Sequence, residues 1–193
     1  METYCIPIKH ANCYLVQIND FYIAIDAGWP GYMHEYVEAL KSYNIKPERI
    51  KYLIVTHFHP DHAGLVENIK KFGACFILFE HQIPYIQVME KMIRSDRFYL
   101  PLDMNSNVVL NTDESKSFFK ENNIPAQAIK TISHSDDSIS VVFEDGSAFI
   151  GDLHSQDLIM EDDYKSRQSW CDLKLKGAKE IYPAHGNSYR LEM

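Results

Sequence analysis

The fold of this chain is decided by residues 56–64, which read Thr56-His57-Phe58-His59-Pro60-Asp61-His62-Ala63-Gly64. The apolar and β-branched residues 50–55, immediately before them, predict a buried strand. Residues 65–72, immediately after them, carry apolar side chains at helical spacing and end at Gly73. The histidine-rich stretch is therefore expected on the turn between the end of a strand and the start of a helix.

This turn brings nitrogen and oxygen ligands together. His57 and His59 are two residues apart, so in an extended backbone their rings point to the same side. Pro60 disfavours a helical conformation for His59. Asp61 and His62 then fall at a helix N-terminus, where the helix dipole favours an ionised carboxylate and a neutral imidazole. Because these protonation states bind metal ions, the stretch predicts a metal site rather than a solvated polar turn.

Composition narrows the possible functions. The 193 residues suggest one domain spanning 1–193, and 46% of them are hydrophobic, which is enough for a sizeable core. The formal net charge is -8, so the chain lacks the excess of lysine and arginine that is usual for nucleic-acid binding. We find no membrane-spanning apolar run and no signal sequence, which predicts a cytoplasmic protein without membrane contact. The four scattered cysteines are interpreted as inert: Cys5, Cys13, Cys75 and Cys171.

The rest of the chain alternates predicted strands and helices, which indicates an α/β layered domain. A hairpin is expected at residues 12–28, and its second strand ends at Asp26. Asp26 is either an ordinary turn residue or a partner that orients a metal ligand, and we favour the second interpretation. Further strands are predicted at 75–79, 128–132, 138–143, 148–150 and 180–182, and helices at 35–43, 83–93, 115–122 and 164–176.

Three more candidate ligands follow later strands. His134, Asp152 and His185 each come shortly after a predicted strand, and strand ends at one edge of a sheet converge on one crevice. Together with the first stretch they make five histidines and two aspartates. That number of ligands is enough for two metal ions, since one site needs only three or four.

The ordered motifs resemble those of the metallo-β-lactamase superfamily over nearly the whole chain. The resemblance implies an αβ/βα four-layer sandwich, in which two mixed β-sheets pack face to face with helices outside. The motifs that carry it are His57-x-His59-x-Asp61-His62, His134, Gly151-Asp152 and Ala184-His185-Gly186. By position, the resemblance implies that one metal is bound by His57, His59 and His134, that a second is bound by Asp61, His62 and His185, and that Asp152 bridges both.

The same resemblance implies a dinuclear metal-dependent hydrolase. A hydroxide bridging the two ions would attack the substrate, and Asp61 would act as a catalytic residue by orienting this nucleophile. Zinc is the expected metal, with iron or manganese as alternatives. The expected substrate is a small acyl compound, a thioester or a lactone, as in glyoxalase II-like and lactonase-like members. The alternative is a phosphodiesterase or nuclease of the same fold.

Other members of the superfamily fit less well. The flavodiiron branch carries glutamate at the position of His59, which argues against a redox protein. A non-catalytic scaffold would be expected to have lost ligands, and a true β-lactamase would be expected to carry a signal sequence. We therefore expect a small-molecule substrate and no nucleic-acid partner, and no pattern in the sequence indicates an oligomeric state.

Several features stay open from the sequence. Residues 81–110 form either a lid over the site or an ordinary surface excursion. Asp136 and Asp137 either repel anionic substrates or point to solvent, and we favour solvent. His154 is either a surface or turn residue, which we favour, or lies near the pocket, because it is two residues beyond Asp152. Walls of the substrate pocket are expected from Tyr85, Tyr99, Tyr164 and Arg167.

Overall fold

The computed structural model describes residues 1–192. Within this range the chain forms two compact units, of which the first covers Met1–Leu110 and the second begins at Asn111. None of the helices in residues 1–192 has the length and the apolar run that crossing a bilayer demands. The single domain expected for residues 1–193 stays a prediction.

The first unit is built on a mixed β-sheet with helices. Its strands are β1 Thr3–Ile8, β2 Ala11–Ile18, β3 Phe21–Ile25, β4 Ile50–Ile54, β5 Cys75–Phe79 and β6 Asn107–Leu110, and its helices are α1 Met33–Ser42, α2 Pro60–Ala63, α3 Val66–Lys70 and α4 Ile83–Ile93. The strands lie side by side in sequence order. Strands β1 to β3 are antiparallel, and β3 to β6 are parallel.

Strand β4 occupies the middle of this sheet, where a nearly continuous apolar run is required. Leu53 and Ile54 are almost completely buried, and they pair with β3 on one side and β5 on the other. Tyr36 and Leu40 of α1 pack into the same core. Because β3, β4 and β5 are parallel, the residues that follow each of them lie at one edge of the sheet.

The second unit has a smaller mixed sheet. Its strands are β7 Ala126–Lys130, β8 Ile139–Phe143, β9 Ser147–Gly151, β10 Glu180–Pro183 and β11 Tyr189–Arg190, and its helices are α5 Ser115–Glu121 and α6 Tyr164–Leu175. The spatial order is β11-β10-β9-β8-β7. Only β9 and β10 are paired in parallel among these strands. Trp170 and Leu173 of α6 pack against Val142 and Ile150 of the sheet.

The α/β class and the two mixed sheets with helices are confirmed. The helix predicted at 65–72 is confirmed as α3, and Asp61 and His62 lie in a separate short helix, α2, which is divided from α3 at Gly64 and Leu65. Gly64 packs so closely on Pro30 that an added Cβ would lie 2.3 Å from Pro30 Cδ. Strands β1, β6 and β11 were not predicted, since short edge strands carry little local pattern.

Candidate metal centre

The loop after β4 gathers four potential ligands in the first unit. His57 follows the strand by three residues and is completely buried. His59 has an extended backbone immediately before Pro60, which is the first residue of α2. His57 Nε2 lies 2.9 Å from His59 Nδ1. The two rings therefore point to the same side, as the spacing predicts.

Asp61 and His62 sit in the first turn of α2, as expected. Asp61 Oδ2 lies 3.7 Å from His62 Nε2. The ring of His62 is completely buried and its centre is 4.0 Å from that of His57. Imidazole nitrogens and a carboxylate oxygen thus converge on one small volume within this unit.

Asp26 fixes the orientation of this loop from the end of β3. Its Oδ1 accepts hydrogen bonds from the Thr56 backbone N–H at 2.7 Å and from Thr56 Oγ1 at 3.0 Å. Its Oδ2 lies 2.9 Å from His62 Nδ1. A carboxylate at this distance holds the proton on Nδ1, which leaves the Nε2 lone pair of His62 available for a metal ion. Asp26 therefore contacts a candidate ligand in the way that the orienting interpretation expects.

Gln82 supports the same loop from beyond β5, and sequence reasoning missed it. Its side chain is completely buried. Nε2 donates to the carbonyl oxygens of Val55 at 3.2 Å and Thr56 at 3.3 Å, and Oε1 accepts from the Phe79 N–H at 3.4 Å. The backbone leading into His57 is therefore tied to a neighbouring strand. A glutamine directly after an apolar strand is the only local signal for this role.

The second unit gathers the remaining three candidates. His134 follows β7, Asp152 follows β9 and His185 follows β10. Asp152 Oδ2 lies 3.4 Å from His134 Nε2, and Asp152 Oδ1 lies 3.4 Å from His185 Nε2. The two oxygens of one carboxylate therefore face different histidines. This is the arrangement that a carboxylate bound to two metal ions requires.

The loop that carries His134 is anchored on α6. The hydroxyl of Ser133 is hydrogen-bonded to the buried hydroxyl of Ser166. Ser166 Oγ donates to Asp163 Oδ2 at 2.5 Å, and its backbone N–H donates to Asp163 Oδ1 at 3.0 Å. These hydrogen bonds from Ser166 lower the pKa of Asp163. Asp163 is thus the N-cap of α6 and, through Ser166, a support of the ligand loop.

The two acidic residues after His134 differ from each other. Asp136 is exposed and pairs with Lys165 at 2.8 Å, so its expected solvent orientation is confirmed. Asp137 is only 2% exposed, and the expectation of a solvated turn is wrong for this residue. Asp137 lies in the tight turn between β7 and β8, where the Ser138 N–H donates to the Ser135 carbonyl oxygen.

A cavity of about 430 Å³ lies beside the ligand set of the second unit. His154 lines it, and its ring centre is 6.4 Å from that of His134, so the interpretation that places His154 near the pocket is the correct one. Tyr164 and Arg167, predicted as walls, are not among the residues that line it. Its apolar wall includes Leu153, Leu158, Pro183 and Tyr189. In the first unit, Tyr85 and Tyr99 pack against the core.

The donors of both units suit a divalent transition metal. Neutral imidazole nitrogens and carboxylate oxygens are ligands of zinc, and also of iron and manganese. The buried contact between Asp26 and His62 is the kind of outer hydrogen bond that orients metal-binding histidines. The residues present therefore fit a metal centre.

Comparisons with known proteins agree with these observations. The model of the metallo-beta-lactamase superfamily matches residues 7–185. The Beta-lactamase-like protein 2 homolog of Caenorhabditis elegans is 29% identical over 184 residues, which are 93% of this chain and 57% of that protein. This chain thus spans little more than half the length of that relative.

Solved structures share the fold. A metallo-beta-lactamase family protein from Thermus thermophilus is 18% identical with a TM-score of 0.76, over 97% of this chain and 74% of its own. The flavodiiron protein of Giardia intestinalis is 17% identical with a TM-score of 0.72, over 98% of this chain and 54% of its own. At these identities the likeness concerns the fold alone. On its family match and its candidate ligands, the chain belongs to the metallo-β-lactamase superfamily, whose members are generally metal-dependent hydrolases.

Proposed function

We propose that this protein is a dinuclear metal-dependent hydrolase acting on a small acyl substrate, a thioester or a lactone. The observation that carries the proposal is the placement of Asp152, whose two carboxylate oxygens each lie 3.4 Å from a different histidine. A carboxylate arranged in this way is suited to link two ions, and a single structural metal would not need it.

The ligands are assigned by the order of the motifs along the chain. His57, His59 and His134 would hold one ion, and Asp61, His62 and His185 would hold the other, with Asp152 shared. This grouping of residues from both units rests on the sequence motifs and on membership of the superfamily. Zinc is the proposed metal, because nitrogen-rich sites with one or two carboxylates suit it, and iron or manganese would also be accepted.

A bound metal pair would supply a nucleophile from water near neutral pH and polarise the scissile carbonyl. The chain itself would supply the geometry. Asp26 holds His62 in the tautomer that can bind metal. Asp61 is proposed to accept a hydrogen bond from the attacking water and so to orient it as the catalytic residue. The expected cytoplasmic location and small-molecule substrate stay predictions.

Two other functions are weaker. A phosphodiesterase or nuclease would favour a basic surface, and the formal net charge is -8. The similarity to a flavodiiron fold raises a redox function, yet the chain carries His59 where that branch is expected to carry glutamate. Both remain outcomes of the experiments below.

Metal analysis of the purified protein is the first experiment. We expect about two metal ions per chain, and turnover of thioester or lactone substrates that is lost when a chelator removes the metal. Asp152→Ala should lower the metal content to one ion or none and reduce kcat/KM by about 10³-fold or more, because a metal ion contributes several kcal/mol to the transition state.

Asp136→Ala is the matched control, since Asp136 lies on the His134 loop, is exposed and pairs with Lys165. It should keep both ions and full activity. Wild-type protein that takes up no zinc, iron or manganese, or an Asp152→Ala variant with normal turnover, would overturn the proposal. If the purified protein contains iron, transfers electrons and hydrolyses none of these substrates, the redox function would replace the proposed hydrolase function.

A further inference from the structure

The cavity beside the ligand set of the second unit has the size of a ligand site. Its volume is about 430 Å³, and sites for small organic molecules range over roughly 300–1,000 Å³. His134, Asp152 and His185 all contribute to its wall. A molecule whose reacting atoms reach these side chains would place another part of itself in this cavity.

The rest of the wall is mainly apolar. Leu153 and Pro183 are buried and present fixed surface, and Tyr189 adds an aromatic ring. Leu158 also lines the cavity although 67% of its surface is exposed. Covering the exposed surface of this leucine with a hydrocarbon group removes apolar area from water, which lowers the free energy of the complex. The chemistry of the wall therefore selects for apolar groups.

The apolar wall of the cavity offers no cationic side chain to an anion. Among the described residues that line it, none is a lysine or an arginine. Burial and the nearby carboxylate of Asp157 raise the pKa of Tyr189, which shows that an acidic group is close to the apolar wall. Two further acidic residues, Glu161 and Asp162, are exposed on the segment that also carries Asp157, between Asp152 and α6. A carboxylate or phosphate placed against Leu153, Leu158 and Pro183 would lose its hydration without gaining a charged partner.

We propose that this cavity binds an uncharged hydrocarbon group of the substrate and that Leu158 is a specificity-determining residue. The proposal rests on the hydrolase function proposed above and defines the substrate class more narrowly. The hydrocarbon group belongs either to the acyl part or to the leaving group. The two arms of the experiment distinguish these sources.

The first arm measures kcat/KM of the metal-loaded protein for thioesters of one thiol with acyl chains of increasing length. The second arm uses acetyl thioesters of alkyl thiols of increasing length. In one arm we expect about a fourfold rise per methylene until the cavity is filled. For a thioester whose acyl chain ends in a carboxylate, kcat/KM should be lower than that of its uncharged counterpart by about tenfold or more.

Matched variants locate the effect. Leu158→Asn should reduce kcat/KM for the longest preferred substrate by about tenfold and leave the shortest nearly unchanged. Met160→Asn is the control, because Met160 lies on the same segment, is 71% exposed and does not line the cavity. It should behave like the wild type with every substrate. Both positions are exposed, so neither change should affect folding.

A binding measurement separates failure of this proposal from failure of the hydrolase function. Acetamide, butyramide and hexanamide keep the acyl carbonyl and resist hydrolysis, and calorimetry gives their dissociation constants. Tighter binding of longer amides, weakened by Leu158→Asn, would support the cavity even if no thioester or lactone were hydrolysed. Turnover that is independent of chain length in both arms and unaffected by Leu158→Asn would overturn the cavity proposal and leave the hydrolase function intact.

Discussion

The two sets of candidate ligands are held in different ways. In the first unit His57 and His62 are completely buried, and hydrogen bonds from neighbouring strands support their loop. In the second unit the side chains of His134 and His185 are 27% and 44% exposed. The first set comes from residues 57–62, in the loop after β4 and the first turn of α2, and the second comes from the ends of separate strands.

This difference indicates a division of roles. A buried and hydrogen-bonded set of donors is preorganised, so little free energy is needed to orient it for a metal ion. An exposed set beside a cavity leaves room for a substrate. We therefore expect support of the first set to determine metal affinity and the surroundings of the second set to determine access and specificity. Three variants test this comparison.

The largest effect is expected from Asp26→Asn. The amide would present an N–H to His62 Nδ1, which would move the imidazole proton to Nε2 and block metal binding. Metal affinity should fall about 10- to 100-fold, measured by competition with a zinc chelator. The free energy of unfolding of the metal-free protein should change by less than about 1.5 kcal/mol.

Asp20→Asn, at an exposed hairpin turn, controls for the general effect of removing a carboxylate. It should keep wild-type affinity. Equal metal affinity in Asp26→Asn and the wild type would show that Asp26 does not control the tautomer of His62.

A smaller effect is expected from Gln82→Ala. The change leaves the buried carbonyl groups of Val55 and Thr56 without their side-chain donor. We expect the free energy of unfolding to fall by about 1–3 kcal/mol. Denaturant titration measures this change. Metal affinity should fall by less than in Asp26→Asn, because the tautomer of His62 is unchanged. Gln87→Ala, exposed on α4, should change neither quantity.

The smallest effect is expected from Ser166→Ala, which removes the hydrogen bond from α6 to Ser133 of the His134 loop. We expect a fewfold loss of metal affinity, since the ligand loses one outer support and keeps its strand. Ser169→Ala is matched, because Ser169 is also buried on α6 and its hydroxyl donates to the Lys165 carbonyl oxygen of its own helix. Equal metal affinity in both variants would remove the role assigned to Ser166.

The hydrogen bonds between Asp163 and Ser166 make the stability of the protein depend on pH, with a defined sign. The pKa of Asp163 is lowered by its hydrogen bonds from Ser166. A group with a lowered pKa in the folded state stabilises the protein above its unfolded pKa and loses that contribution as the pH falls through its folded pKa. The wild type should therefore lose stability on acidification more steeply than Asp163→Asn, when both are followed by thermal unfolding.

Local patterns predicted much of the fold. The hairpin ending at Asp26, the strand into His57 and the helix over residues 164–175 were found because apolar periodicity and turn residues are visible within a few positions. The helix expected at 65–72 is present as α3. Its separation from α2 was not predicted, because the break at Gly64 depends on packing against Pro30, which lies far away in the sequence. The edge strands β1, β6 and β11 were not predicted, because their residues show no strong alternation of apolar and polar side chains.

The sequence by itself determined the candidate metal ligands of the first unit, because His57, His59, Asp61 and His62 lie within one turn and their spacing decides where the side chains point. The tertiary structure alone decided which residues support and surround them. Asp26, Gln82 and Ser166 act through hydrogen bonds to residues about 25 to 35 positions away. Leu158 and Tyr189 meet at one cavity through the folding of the second unit. Such contacts depend on sheet register and packing, which no local pattern encodes.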